Sequence, residues 1–366
     1  MNVLKLITLA IFSFIFSAYG RAPSNYSQLR SELAKTSQND LIKVVNDFVK
    51  VSAPSRMISL PGHDKAKDFL LETIKSYDSK GSGKLIVDTF SPDTEEAKRF
   101  YQSDFDQKVE GKVSKFAPDY QKWLKFTTYM KSTAERYKSV QGTNIIWEKT
   151  GLDANKVLVI TAHYDTISHD PNTLMITEKS PMPGANYNAS GVSVALALIK
   201  TLAQVDLNYS VQVVFLDWQG IGFLGSLRYS QELKKSQKNV IGFLNLEMLG
   251  QDTSFLDKTK KSGNMCVYFR PQDEKFIQLL TQHGSKITSS VSFEPKATGF
   301  DNSDNFRLWE HGFMGGTFSQ NWEDDFNPKF YQTPQDTPET LNHQTLYSSY
   351  QYLGGAVLGT LLDISQ

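Results

Sequence analysis

Lys156-Val157-Leu158-Val159-Ile160-Thr161-Ala162-His163-Tyr164-Asp165 is the stretch from which the rest of the chain can be placed. Its first seven residues are mostly apolar and rich in β-branched side chains, and their number suits a strand buried on both faces. His163, Tyr164 and Asp165 come where that strand ends. A loop rich in Pro, Asn and Ser follows and closes on Pro183-Gly184-Ala185-Asn186-Tyr187-Asn188-Ala189-Ser190-Gly191, after which residues 192–202 read as an almost wholly apolar helix. Val211-Gln212-Val213-Val214-Phe215-Leu216-Asp217 is a second buried strand, and Gly222-Phe223-Leu224-Gly225-Ser226 turns it towards another helix. Strand, helix, strand, helix in that order calls for a parallel sheet with crossovers. Ligands in such sheets bind beyond the carboxyl ends of the strands, which puts a site at His163, Asp217 and the turns after them.

The wider composition bounds the class. The chain has 366 residues, enough for a large core, and its 39 basic and 39 acidic residues cancel to a formal net charge of zero. Nothing in that balance suggests nucleic acid as a partner. A short basic start through Lys5, an apolar run over residues 6–18 and small residues at Ala18 and Gly20 predict a signal peptide over residues 1–20, cut after Gly20. The expected location is therefore secreted or periplasmic, with no membrane span after cleavage. Cys266, the single cysteine, excludes an internal disulfide and sits in an apolar strand-like run, so it reads as a buried structural thiol. Residues 21–366 are expected to form one α/β domain of three α/β/α layers, with a central mixed, mostly parallel sheet and helices on both faces.

Around that centre the elements follow from periodicity. Leu41, Val44, Val45, Phe48 and Val49 recur at helical spacing with Asn39 or Asp40 as cap, and Gly62-His63-Asp64 opens a second helix in which His63 reads as a helix-start residue. Residues 91–140 read as a helical insertion. Its first helix begins with Ser91 as capping hydroxyl before Pro92, and its second, from Pro118, carries Trp123, Phe126, Met130, Ala134 and Tyr137 as one apolar stripe. Such a stripe packs on the core, or forms a lid or partner-binding module. His169 and Asp170 read as a solvated turn, Asp301 and Asp304 as turn acids, and Glu323-Asp324-Asp325 as an exposed acidic turn. Glu247, after the strand Lys238-Asn239-Val240-Ile241-Gly242-Phe243-Leu244, reads as hydrogen-bonded to loop amides beside His163. Gly354, Gly355 and Gly359 in a C-terminal helix permit close packing on the sheet.

Taken in order, His163-Tyr164-Asp165, then Pro183-Gly184-Ala185 with Asn188 and Ser190-Gly191, then Asp217 with the Gly222–Ser226 turn, resemble the co-catalytic zinc aminopeptidases and carboxypeptidase-like hydrolases of peptidase family M28. The likeness runs from about residue 144 to the C-terminus. It implies a first zinc held by His163 and by an Asp whose place is taken by Glu247 in Asn245-Leu246-Glu247-Met248. The Asp that bridges both metals falls on Tyr187. The general-base Glu and the ligand Glu beside it fall on Gln219 and Gly220, and the final ligand His falls on Gln332 in Tyr331-Gln332-Thr333. Ser303-Asp304-Asn305 resembles a Ser-Asp-His segment of the family's cleft, with its His replaced by Asn305. By the same resemblance Asp165, Asn188, Asp217, Asp304 and Tyr331 are expected to line a cleft.

The replacements differ in physical weight. Two neighbouring dications repel strongly, and a bridging carboxylate offsets that charge; a phenol of pKa ~10 does so poorly at neutral pH. Glycine offers no donor, and glutamine offers a neutral oxygen to a metal that prefers His, Cys or carboxylate. His163 and Glu247 remain, against the three protein ligands usual at a catalytic zinc. The sequence thus predicts no cofactor and a pseudo-peptidase that binds a peptide, glycan or protein in the old cleft. An active zinc aminopeptidase that recruits His163, Asp165, Glu247 and a side chain near Asp301 is the alternative. A metal-free hydrolase using Ser190 or Ser303 lacks a Gly-x-Ser-x-Gly elbow and ranks last.

Overall fold

The structure is a computed structural model that describes residues 22–170, 172–253, 259 and 263–364. The expected signal peptide lies outside the described residues. Eight strands form one sheet: β1 (Lys84–Phe90), β2 (Gly142–Lys149), β3 (Asp153–His163), β4 (Tyr209–Leu216), β5 (Asn239–Leu246), β6 (Asn264–Phe269), β7 (Ser292–Lys296) and β8 (Gly315–Gln320). Their spatial order is β1-β2-β4-β3-β5-β8-β6-β7. The middle strands β4, β3, β5 and β8 run parallel, while β1, β2 and β4 pair antiparallel, as do β8 and β6. This is the mixed sheet with a parallel middle that the βαβ pattern implies.

Strand periodicity explains the layers. On β3, Leu158, Ile160 and Ala162 point into one apolar core, and Val157 and Val159 into another. On β4 the split repeats, with Val211, Val213 and Phe215 in the first core and Val214 and Leu216 in the second. The first core is covered by α1 (Tyr26–Leu33), α2 (Gln38–Val51), α3 (Pro61–Tyr77), α6 (Gly191–Leu202), α8 (Glu274–Ser285) and α10 (His343–Leu361). The second is covered by α7 (Leu224–Lys235) and α9 (Asn305–Glu310). A sheet wet on neither face needs such runs of apolar residues, which is why β3 and β4 are legible as strands.

Segment 91–140 contains α4 (Thr94–Lys108) and α5 (Pro118–Arg136). A third core joins Ala97, Tyr101, Met130 and Ala134 of these helices to Ile167, Tyr187, Trp218 and Met248 of the loops that follow the central strands. The pair thus sits over the carboxyl end of the sheet. Tyr137 is buried as the stripe predicts, whereas Trp123 stays 41% exposed.

Several local expectations are corrected. The cap of α2 is Ser37: its hydroxyl accepts from the Asp40 amide at 3.2 Å, and the Asp40 carboxylate accepts from the Ser37 amide at 2.9 Å. Asp40 is the third residue of a capping box, so its acid serves from inside the helix. The cap of α4 is Asp93, accepting from the Glu96 amide at 3.0 Å, since a carboxylate is the better acceptor at the positive end of a helix. Asp325 is buried and accepts from the Thr253 amide at 3.0 Å, so only part of the acidic turn is exposed. In α10, a Cβ on Gly354 would lie 2.3 Å from Leu33 and one on Gly359 2.5 Å from His283. These small residues therefore admit α1 and α8 rather than the sheet. Cys266 is wholly buried, and among the described residues no helix is long and apolar enough to cross a membrane.

Gly225 sets how α7 meets the end of β4. A Cβ there would lie 2.0 Å from the Asp217 carbonyl oxygen and 2.8 Å from the Asn144 side chain. Gly225→Ala is expected to lower the unfolding free energy by about 1–3 kcal/mol through overpacking, read from urea denaturation. An unchanged midpoint would mean that the helix does not sit this close.

Candidate functional site

The carboxyl ends of β3, β4 and β5 converge on loops held by buried polar groups. Arg56, between α2 and α3, is almost completely buried, and its guanidinium donates to the carbonyls of Tyr164 at 2.8 Å, Pro183 at 2.6 Å and Gly184 at 2.8 Å. Burial pulls its pKa down to about 10, which leaves it charged at neutral pH. On the other side of the same loop, Asp336 accepts from the amides of Asn186 at 2.8 Å and Tyr187 at 2.9 Å, and burial pushes its pKa up to about 6. Gly184 adopts a φ of +61°, and a Cβ there would lie 2.5 Å from the Tyr187 carbonyl oxygen. Asn188 completes the frame: it donates to the Leu246 carbonyl at 2.9 Å and accepts from the Met248 amide at 3.0 Å.

Asp217, at the end of β4, has no solvent exposure. It accepts from His63 Nε2 at 2.8 Å, the Thr143 amide at 2.8 Å, the Tyr164 hydroxyl at 3.1 Å and the Trp218 amide at 2.8 Å. Burial opposes the charge on His63, but Asp217 outweighs it and holds the imidazole above its ordinary pKa. His63 is thus a helix-start residue that also reaches across to the sheet, and Asp217 braces the fold rather than walling a cleft. An acid ending a wholly buried strand must find donors, and that requirement was the available signal for a partner such as His63.

His163 lies at the centre. Its Nδ1 donates to the Asp165 carbonyl at 3.0 Å, with Asp165 Oδ1 3.7 Å away, and its Nε2 lies 3.6 Å from Glu247 Oε1 without a hydrogen bond. Burial disfavours the imidazolium, but Asp165 and Glu247 together outweigh burial and push the pKa up to about 10. The carboxyl of Asp165, despite burial, is held below its ordinary range by His163 and by the amides of Gly220 and Gln219 at 3.2 and 3.1 Å. Glu247 accepts from the Ser303 hydroxyl, which itself accepts from Asn245 Nδ2 at 2.8 Å. A hydroxyl thus replaces the loop amides expected there. Asp304 is wholly buried beside this group, and burial pushes its pKa up to about 7 against the pull of His163. It is not a turn acid; Asp301, which is exposed and 3.3 Å from Lys108, is.

The remaining positions that match metal ligands or the general base engage one another. The Tyr187 hydroxyl donates to Gln219 Oε1. Gln332 Oε1 accepts from His169 Nδ1 at 2.7 Å. His169 is therefore paired with Gln332 instead of forming a solvated turn; Asp170 does form one, accepting from the Asn172 and Thr173 amides at 2.9 and 2.8 Å. At Gly220 a Cβ would lie 2.9 Å from Ile167 Cβ, so the start of any longer side chain is already occupied. His163 and Glu247 can share a cation, but among the described residues no three His, Cys, Asp or Glu side chains are arranged to hold a metal ion. This donor set does not fit a two-zinc centre.

A cavity of about 570 Å³ adjoins these two pairs, lined by Tyr101, Trp123 and Phe126 and by His169, Tyr187 and Tyr331. Of the residues expected at a cleft, Tyr331 lines this cavity, and Asp165, Asn188, Asp217 and Asp304 are buried in the frame. Arg56, His63 and Ile167 carry the site's shape without any motif to mark them.

The charge state of His163 sets a pH dependence. Its folded pKa of about 10 exceeds the ordinary 6.5, so its stabilisation is complete below pH 6.5 and is lost as pH rises through about 10. His163→Gln is expected to flatten the fall in unfolding free energy across that window, measured by urea denaturation at several pH values. An identical slope in both proteins would show that His163 is not held as a cation.

A model of peptidase family M28 matches residues 144–355. A probable zinc metalloprotease of Pyrenophora teres f. teres is 33% identical over 128 residues, which cover 34% of this chain and 26% of that protein. The match thus spans about a quarter of that relative's length. The LapA aminopeptidase of Legionella pneumophila superposes with a TM-score of 0.65 at 12% identity, covering 96% of this chain and 79% of that one. A glutaminyl cyclase of Bacteroides thetaiotaomicron superposes with a TM-score of 0.61 at 15% identity, covering 90% and 99%. These two structures share the fold.

Proposed function

The chain belongs to peptidase family M28, and from that premise we propose that it is an exported, catalytically silent member that binds a peptide, glycan or protein segment in the cleft beside the former metal site. The observation that carries this reading is the mutual engagement of the replaced positions. Gln219 stands where a general base is needed, and its side-chain oxygen accepts from the Tyr187 hydroxyl. Gln332 is held by His169, and Ile167 fills the approach to position 220. Of the donors that paired metals would require, His163 and Glu247 remain, while Tyr187, Gln219 and Gln332 are engaged within the protein and Gly220 offers no side chain.

The consequence for chemistry is quantitative. Loss of a general base alone costs about 10²- to 10⁴-fold in rate, and without a bridging carboxylate a second dication is strongly repelled by the first. Export is supported by the basic start, apolar run and small residues of positions 1–20. Binding is supported by the aromatic cavity, whose volume falls within the ~300–1,000 Å³ usual for ligand sites.

Two measurements test this. With aminoacyl p-nitroanilides the purified protein is expected to show no chelator-sensitive hydrolysis; chelator-sensitive turnover would instead establish an active zinc-dependent aminopeptidase with a rearranged site. The second combines Tyr187→Asp, Gln219→Glu, Gly220→Glu and Gln332→His. This fourfold variant is expected to take up stoichiometric zinc only when Ile167→Gly is added, because the Ile167 side chain occupies the space of a residue 220 side chain. Zinc uptake by the fourfold variant alone would show that the frame yields more easily than its packing implies.

A further inference from the structure

The two edges of the sheet are not alike. At one, β7 carries Pro295, which has no N–H to offer, between Glu294 and Lys296. At the other, β1 pairs with β2 alone among the described residues, so one side of its backbone faces outward without a strand beside it. The middle of this seven-residue strand, Leu85-Ile86-Val87, bears neither charge nor proline, and Val87 is 49% exposed. An edge of this kind is a template for another strand unless something guards it. Charges flank the apolar middle asymmetrically: Lys80 and Lys84 precede it, and Asp88 and Asp93 follow it. A strand with that pattern is complementary to itself when reversed.

We propose that β1 pairs antiparallel with β1 of a second copy of this chain, about a two-fold axis through Ile86, so that the sheet continues across a homodimer. This register sets Lys84 against Asp88 of the second copy and Leu85 against its Val87, and symmetry repeats each contact. Moving the axis to Val87 would set Ile86 against Asp88, and moving it to Leu85 would set Lys84 against Ile86. An axis at Lys84 or Asp88 would set that charge against itself. The register centred on Ile86 is thus the one that matches charge with opposite charge and apolar with apolar. Asp88 already accepts from Arg228 of α7 at 3.1 and 3.2 Å. A carboxylate has lone pairs for more than two donors, so Lys84 adds to that ion pair without displacing it. A cavity of about 330 Å³, lined by Thr89, Phe90, Ser91 and Arg228 among others, opens at the end of the strand. In the same register Thr89 and Ser91 fall opposite Gly83 and Gly81 of the second copy, whose lack of side chains admits a close approach.

The test is sedimentation velocity of the full-length protein over a range of concentrations, joined to oxidative cross-linking through an introduced cysteine. The wild type is expected to sediment as a dimer that dissociates on dilution. Lys84→Asp, at an exposed position where folding is safe, is expected to weaken the dimer about tenfold, because it sets like charges opposite each other twice. Cys266 is wholly buried, so an introduced thiol is the one that reacts. Ile86→Cys is expected to form a disulfide-linked dimer, since two residues opposed on the axis lie within the ~4.4–6.8 Å that a disulfide spans between Cα atoms. Thr89→Cys, which falls opposite Gly83, is expected not to. A monomer at every concentration would overturn the proposal and leave the edge to a strand of another protein. A dimer that Lys84→Asp does not weaken, or one that Thr89→Cys cross-links as readily as Ile86→Cys, would overturn it by placing the contact elsewhere.

Discussion

Arg56 and Asp336 grip one loop by its two polarities, and the geometry of the site follows from that grip. The guanidinium gathers carbonyls of Tyr164, Pro183 and Gly184, while the carboxylate gathers the amides of Asn186 and Tyr187. The Gly184 carbonyl also accepts from the Ala189 amide at 3.1 Å, but a buried backbone group left unpaired among the others would cost about 1–3 kcal/mol. A loop fixed in this way keeps its shape without a metal to organise it. This is how an M28 frame can keep its shape around Tyr187, Gln219, Gly220 and Gln332.

The same economy of charge operates at the centre. Where a metal site would bring several carboxylates around dications, this protein surrounds the His163 imidazolium with Asp165 and Glu247. Asp304, pushed up to about 7, need not carry a full charge beside them. One internal cation thus offsets part of the charge of the acids that remain. Buried ion pairs gain little over apolar packing in general, so the pairing that favours the charged form of His163 is offset by the burial of its acids, and the cluster also fixes the orientation of all three side chains.

Much of the fold is legible in the sequence because the middle strands are buried on both faces, and their apolar runs end abruptly at His163, Asp217 and Glu247. The positions that match the family's ligands are legible for the same reason, since each lies at a strand end or in a turn. What those residues do instead is not legible. His169 and Gln332 are 163 residues apart, and nothing local marks either as the other's partner. Arg56 sits in an inter-helix turn with no motif, yet it holds the loop together. Asp304 and Asp325 resemble surface acids because a short polar stretch is the same in sequence whether it turns outward or is folded under. The cap residues were misplaced by short distances, where two neighbouring polar residues compete and only backbone geometry decides.

The central claim is that the protein's own charges and hydrogen bonds hold this frame, with no place left for paired metals. Crystals grown with excess zinc and measured across the zinc absorption edge address it directly. The account predicts no anomalous peak within bonding distance of His163 Nε2 and the Glu247 carboxylate. A full-occupancy peak bonded to both, with a third protein ligand beside it, would contradict the account.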